Sequence, residues 1–152
     1  MLIGVISDTH GMLRPEAVLA LQGADLIIHA GDVGKAEILP ELRRIAPTFA
    51  VRGNVDTALW AATLPMTEVV EIGDQQLYVL HDLATLDLDP VAAGFAAVIS
   101  GHSHKPLAEV RNGVLYLNPG SAGPRRFNLP ICLARLHVTR RGLRHEFVDL
   151  AI

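Results

Sequence analysis

The sequence predicts a mixed α/β (α+β) fold in which two sheets pack face to face with helices outside. Three observations predict it. The first third alternates short apolar runs with helical segments in the order β-α-β-α-β, which implies parallel strands joined by right-handed crossovers. The later part is punctuated instead by two-residue turn signals, Gly73-Asp74 and Asn112-Gly113, which read as antiparallel hairpins. Half of the 152 residues are apolar, enough for one sizeable core, so residues 1–152 are expected to form a single domain.

Each element has its own signal. Residues 2–7 are an almost unbroken apolar run, the pattern of a strand buried on both faces. Pro15 suits the first turn of a helix that reaches Leu21, and Gly23 suits its end. Residues 25–30 form the next buried strand. Residues 36–45 are helical in pattern, although Pro40 should break or kink that helix. Residues 48–52 are the third strand. Residues 67–72 and 75–80 flank the Gly73-Asp74 turn, Pro90 opens a short helix, and residues 96–100 form a further strand. Two more hairpins follow, residues 107–111 with 114–117, and 131–138 with 143–150 around Arg140-Arg141-Gly142. The Gly- and Pro-rich stretch 118–130 is long for a structureless loop, a length that functional segments tend to have.

Composition excludes several function classes. Net charge is −3, so no specific nucleic-acid binding is expected. Residues 1–104 hold 5 Lys/Arg against 13 Asp/Glu, and residues 105–152 hold 8 against 3. The basic part lacks interleaved aromatics and reads as a solvated face. Cys132 is the single cysteine, so no intrachain disulfide forms and a reducing, cytoplasmic setting is expected. The N-terminus lacks a basic n-region and meets Asp8 early, unlike a signal peptide. No apolar run approaches the roughly 20 residues that span a membrane.

Five of the apolar runs end in residues that bind hard or borderline metals. The first runs into Asp8 and His10, the second into Asp32, the third toward Asn54, the fourth into His81, and the fifth into His102 and His104. In sheets flanked by helices, ligands gather at the carboxyl ends of strands. Asp8-Thr9-His10, Gly31-Asp32 and Gly53-Asn54 are each weak alone, because such turns are common, whereas Gly101-His102-Ser103-His104, two alternating histidines after a Gly that lets the backbone bend, is a stronger signal. Their conjunction describes one site, with seven oxygen and nitrogen donors for at least one metal.

The order and spacing of these motifs resemble the calcineurin-like metallophosphoesterases. Ser7-Asp8-Thr9-His10-Gly11, His29-Ala30-Gly31-Asp32, Arg52-Gly53-Asn54-Val55-Asp56, Gly101-His102-Ser103-His104 and Asn118-Pro119-Gly120-Ser121 are similar to the small YfcE-like phosphodiesterase branch. The resemblance implies a four-layer α-β-β-α sandwich of two mixed sheets. It implies that Asp8, His10 and His104 hold a first metal, that Asn54, His81 and His102 hold a second, and that Asp32 bridges them. Asp32, Asn54 and His102 then carry catalytic roles as well. Two metals about 3.5–4 Å apart can share a bridging hydroxide, lower its pKa, and clamp the attacking and leaving oxygens of a phosphate. Asp, Asn and His donors without thiolates suit Mn first, with Fe, Zn or Ni as alternatives.

The expected function is therefore hydrolysis of phosphodiester bonds in a small phosphoester substrate by attack of metal-bridging hydroxide. Two alternatives stand beside it: a phosphomonoesterase, and a protein-interaction scaffold without activity, since the retromer scaffold subunit resembles the same fold. A homo-oligomer is compatible with the sequence, and no membrane partner is expected. Two positions depart from the branch. Val55 stands where many relatives place a proton-donating His, and His81 is followed by Asp82-Leu83 instead of Gly and a second His. Asp82 reads first as a turn residue and second as an orienter of a ligand imidazole. His29 reads as a hydrogen-bonded core residue, His137 and His145 as solvated or cross-strand positions, Cys132 as a buried small hydrophobe, and Arg125-Arg126 as solvated unless they reach a substrate phosphate.

Overall fold

The computed structural model describes residues 1–152, and alternation along each strand decides what its two faces bury. The elements are β1 (Leu2–Ile6), α1 (Pro15–Leu21), β2 (Leu26–His29), α2 (Ile38–Arg43), β3 (Thr48–Ala50), β4 (Thr67–Ile72), β5 (Gln75–Leu80), α3 (Pro90–Ala93), β6 (Ala97–Ile99), β7 (Leu107–Arg111), β8 (Val114–Asn118), β9 (Cys132–Thr139) and β10 (Gly142–Asp149). The first sheet runs β10-β9-β1-β2-β3 and the second runs β4-β5-β6-β8-β7.

Three apolar clusters define four layers. Ile3, Val5 and Ile28 of the first sheet meet Leu77, Val79, Ile99 and Leu117 of the second in a core between the sheets. The opposite side of the first sheet, with Ile6 and Ile27, is covered by Ala17 and Leu21 of α1 and by Ile38 and Leu42 of α2. The outer side of the second sheet, with Tyr78, Leu80 and Val98, is covered by Leu83, Leu86 and Phe95. That last layer is thin: a single 3₁₀ turn at Leu83–Thr85 and the four-residue α3.

The strands β1, β2 and β3 are parallel, as the β-α-β-α-β pattern predicts. The three hairpins form at the expected turns. Two features of the topology were not legible. The C-terminal hairpin returns to the first sheet, where β9 pairs antiparallel with β1. Leu133 of β9 packs toward the helices while Ala134, Leu136 and Val138 pack between the sheets, so both faces are buried and the strand needs an interior position. The centre of the second sheet is parallel, because β6 pairs parallel with both β5 and β8. Pro40 does not kink a helix. It sits in the first turn of α2, where its missing N–H has no partner to lose, and the helix starts at Ile38 instead of residue 36. No helix is long and apolar enough to cross a membrane.

Candidate metal centre

The carboxyl ends of five strands from both sheets meet at one place. Asp8 and His10 follow β1, Asp32 follows β2, Asn54 follows β3, His81 follows β5, and His102 and His104 follow β6. The loops that carry them are laced together by main-chain bonds that extend beyond the strands. Asp8 N–H donates to Gly31 O at 3.0 Å, His10 N–H to Asp32 O at 3.0 Å, and Gly101 N–H to His81 O at 2.9 Å.

Five of the seven residues, Asp8, His10, Asp32, His102 and His104, hold positive φ between 48° and 71°. The left-handed region costs a residue with a Cβ about 1–2 kcal/mol. Such strain persists where the surroundings impose it and is concentrated at functional sites. Two glycines are needed for close approach here. A Cβ on Gly53 would collide with the Asp32 carboxylate and backbone, and one on Gly101 would collide with Ser7 Oγ and the Asp8 carboxylate.

The donors face one another. His10 Nε2 lies 3.3 Å from His104 Nε2, and His104 Nε2 lies 3.4 Å from Asp8 Oδ1. His81 Nε2 lies 3.1 Å from Asp32 Oδ2 and 3.0 Å from Asn54 Oδ1. His102 Nδ1 lies 3.2 Å from the same Asn54 oxygen. Asp8, His10 and His104 form one group of potential ligand atoms, and Asp32, His81 and His102 form a second. Asp32 Oδ2 is also 3.7 Å from His10 Nε2, so this carboxylate touches both groups.

Each carboxylate divides its oxygens between the protein and the centre. Asp8 Oδ2 accepts from Ser7 Oγ at 2.7 Å and from His102 N–H at 3.1 Å, whereas its Oδ1 is buried and accepts no hydrogen bond. Asp32 Oδ1 accepts from Val55 N–H at 3.0 Å, which leaves Oδ2 for the centre. The proton on His81 is similarly assigned. Its Nδ1–H donates to Ala30 O at 2.7 Å, which leaves Nε2 to face the Asp32 and Asn54 oxygens. A buried carboxylate oxygen without a hydrogen bond, ringed by imidazole nitrogens and beside a second carboxylate, fits a cation among them.

Electrostatics agrees with that reading. Burial pushes the Asp32 carboxyl up, but the hydrogen bonds from His81 and the Val55 N–H overcome it and hold the group at about 2. Burial likewise opposes ionisation of Asp8, and the adjacent His104 ring and the hydrogen bond from Ser7 Oγ reverse it, leaving the carboxyl below its ordinary range. Burial pulls His81 down, but the Asp32 carboxylate and the Ala30 carbonyl raise it above an ordinary histidine. At His10 burial wins over Asp32 and Asp8 and lowers the ring's pKa. Carboxylates are thus ionised at neutral pH, as metal ligands must be.

Several supporting residues carried no assigned role in the sequence. Asp56 is buried; its Oδ2 accepts from Val33 N–H at 3.1 Å and Gly53 N–H at 2.9 Å, and its Oδ1 from Gly34 N–H at 2.9 Å. It ties the loop after Asp32 to the loop carrying Asn54. The only signal was its place three residues after Gly53. Asn118 donates to Gly101 O at 2.9 Å and Ser103 Oγ at 3.0 Å, steadying the turn that carries both histidines. Ser121 Oγ donates to Asp8 O at 3.1 Å.

The remaining candidates separate. His29 is fully buried and its tautomer is settled: Nδ1 accepts from Gly31 N–H at 3.1 Å, so Nε2–H donates to Thr9 Oγ1 at 3.0 Å, which donates onward to Val33 O at 2.8 Å. Asp82 Oδ1 accepts from Ala84 N–H at 3.0 Å as a turn cap, while its Oδ2 lies 3.9 Å from His102 Nε2. His137 lies 3.4 Å from Glu146 across the C-terminal hairpin, and His145 stacks edge-on with Phe147. Cys132 is buried with its thiol pushed up to about 11 by burial. Arg125 is committed to the carbonyls of Leu129 and Ile152, whereas the charge of Arg126 reaches His10 and disfavours its protonation.

Known proteins are similar to this chain in sequence and in fold. A model of the calcineurin-like phosphoesterase superfamily domain matches residues 1–141. A probable metallophosphoesterase from Methanocaldococcus jannaschii is 42% identical over 134 residues, covering 80% of this chain and 68% of that protein. The phosphodiesterase YfcE of Escherichia coli K12 is 32% identical over 146 residues, covering 76% of each. The solved structure of an archaeal phosphodiesterase superposes with a TM-score of 0.80 at 24% identity, covering 97% of this chain and 100% of that one. The chain belongs to the calcineurin-like phosphoesterase superfamily. It is a metal-dependent phosphoric ester hydrolase.

Two outcomes follow from the supporting network. His29 is held at about 4 by burial against an ordinary value of 6.5, so the unfolded chain binds that proton first. The stability tied to neutral His29 is complete above about pH 6.5 and is lost as pH falls toward 4. Urea unfolding of metal-free protein should show the wild type losing on the order of 3 kcal/mol relative to His29→Gln over that interval; parallel curves would contradict the assignment. Asp56→Ala leaves three N–H groups without their acceptor. It should weaken metal binding at least about tenfold in a metal titration, with Asp56→Asn recovering part of the loss.

Proposed function

We propose that this chain is a dinuclear phosphodiesterase in which Asp8, His10 and His104 hold one divalent ion, Asn54, His81 and His102 hold the other, and Asp32 touches both. The observation that carries it is the buried, unpaired Asp8 Oδ1 among converging imidazole nitrogens. When bound, the two ions supply a water of lowered pKa and offset negative charge on the phosphoryl oxygens. Mn is the metal that this mixed oxygen and nitrogen donor set suits first.

The chain's own groups do the positioning. Ser7 and the His102 N–H fix the outer oxygen of Asp8, the Val55 N–H fixes that of Asp32, and the Ala30 carbonyl fixes the His81 ring. A ligand that is already oriented loses little freedom when it binds. His102 is exposed, its side chain 46% accessible against 3% for His104, so it is a ligand that an incoming phosphate meets. The similarity to YfcE and to the M. jannaschii protein supports phosphoester chemistry, and diester preference is the article of the proposal to be tested.

Turnover of an aryl diester and of the matching aryl monoester, measured on chelated and Mn-reloaded protein, tests the proposal. Metal-dependent turnover with the diester favoured is expected, and a monoester preference would reassign the activity. Asp32→Ala should abolish turnover while His137→Ala leaves it near wild type; equal losses in two folded variants would mean the centre lies elsewhere.

The Val55 side chain cannot protonate a leaving group, and its backbone is committed to Asp32. A positioned general acid contributes about 10²–10⁴-fold. Rates should therefore fall steeply as the leaving alcohol becomes more basic. A series of esters with graded leaving groups checks this, and a shallow dependence would reveal an acid at the centre.

A further inference from the structure

Each sheet ends in a free strand on the same side of the sandwich, β10 in the first and β7 in the second. A cleft of about 360 Å³ lies between them, lined by Ala108 and Val110 of β7, Leu115 of β8, and Leu143 and His145 of β10. β10 is eight residues long, carries no proline or lysine, and pairs with β9 in one unbroken register. Edge strands are ordinarily shortened, bulged or covered, because an open row of N–H and C=O groups invites another strand.

Alternation fixes which groups are open. Leu150 N–H donates to Ile131 O at 2.9 Å, and in the register of the hairpin this makes the even-numbered residues the ones that bond to β9. The main-chain N–H and C=O of Leu143, His145 and Phe147 therefore point out along the free edge. Their side chains turn to the cleft: Leu143 packs on the core between the sheets, and His145 meets Phe147 with ring centroids 5.5 Å apart. Phe147 is 39% and Val110 68% exposed, so the apolar side of this edge is uncovered. Arg144 and Glu146 lie on the other face, where Glu146 Oε1 is 3.2 Å from Arg135.

The charge order of β10 selects the occupant. Neighbouring pairs in an antiparallel ladder alternate in kind, so a two-fold axis between two copies must set some residue opposite itself. Two axes keep nearly the whole strand paired, one at His145 and one at Glu146. The second sets carboxylate against carboxylate, which is destabilising. The first sets Arg144 opposite Glu146 of the second copy, twice, and Leu143 opposite Phe147 of the second copy, twice. Arg144 has no acidic partner within its own chain, and the contacts of Glu146 with Arg135 and His137 use Oε1 and leave Oε2 open. β7 offers less, being five residues long with Glu109 and Arg111 already bonded to each other at 2.9 Å.

We propose that β10 is a dimerisation edge, at which two copies of this chain pair antiparallel about a two-fold axis at His145 and join their first sheets into one. The Leu143 and Phe147 pairs then close the mouth of the cleft. The metal centre lies at the far side of β9 and keeps its ligands. Sedimentation equilibrium of the full chain, in a concentration series reaching about 1 mM, should show twice the mass of the chain. Arg144→Glu sets acid against acid and Glu146→Arg sets base against base, each at two pairs, so each should weaken association at least about tenfold. An equimolar mixture of these two variants restores opposite charges at both pairs and should recover the dimer. His145→Pro removes an N–H that only the second copy uses, at a position where an edge strand tolerates proline. It should give a monomer with wild-type Mn binding, which shows that the fold is intact. A wild type that stays at the mass of one chain, a dimer that survives His145→Pro, or a mixture that stays monomeric would overturn the inference.

Discussion

Electron-pair donors from seven residues converge here at the seam of two sheets. Asp8 Oδ1 is buried without a hydrogen bond, His10 and His104 oppose nitrogens at 3.3 Å, and His81 directs Nε2 at two oxygens. In water such groups would separate. The two sheets hold them together through the cluster of Ile3, Val5 and Ile28 against Leu77, Val79 and Ile99. Hydrophobic packing thus supplies the force that concentrates charge, and a divalent cation is the partner that relieves it. The left-handed φ of Asp8, His10, Asp32, His102 and His104 is the local cost of aiming short loops inward from both sheets.

Much of this was legible because ligands sit where strands stop. The ends of β1, β2, β5 and β6 are marked by apolar runs breaking into Asp or His and the end of β3 leads to Asn54, and the structure brings these seven residues to one place. What stayed hidden was long-range. Asp56 acts on Val33 and Gly34 across 23 and 22 residues, and no local pattern reports an acceptor for N–H groups so distant. The return of β9 to the first sheet was hidden for the same reason, since its two buried faces are compatible with a central place in either sheet. Pro40 was read against a helix begun two residues too early, and its position in the first turn removes the conflict.

A fold of this kind does not by itself decide between catalysis and scaffolding. The donor set does. A scaffold has no use for five strained backbones, for glycines packed against carboxylates, or for Asp56 spending both oxygens on three N–H groups beside the centre. The strained backbones cost stability, and Asp56 offsets part of that cost by pairing N–H groups on both loops. The same logic assigns roles that residue identity alone leaves open. His29 sits three residues from Asp32, yet its two nitrogens are spent on Gly31 and Thr9, so it shapes the loop instead of the chemistry.

The central claim is that seven donors hold two ions, and counting the ions tests it most directly. Protein reconstituted with excess Mn, desalted into metal-free buffer and subjected to elemental analysis should retain two ions per chain. Retention that saturates at one ion, or an Asn54→Ala variant that holds as many ions as the wild type, would contradict the dinuclear account.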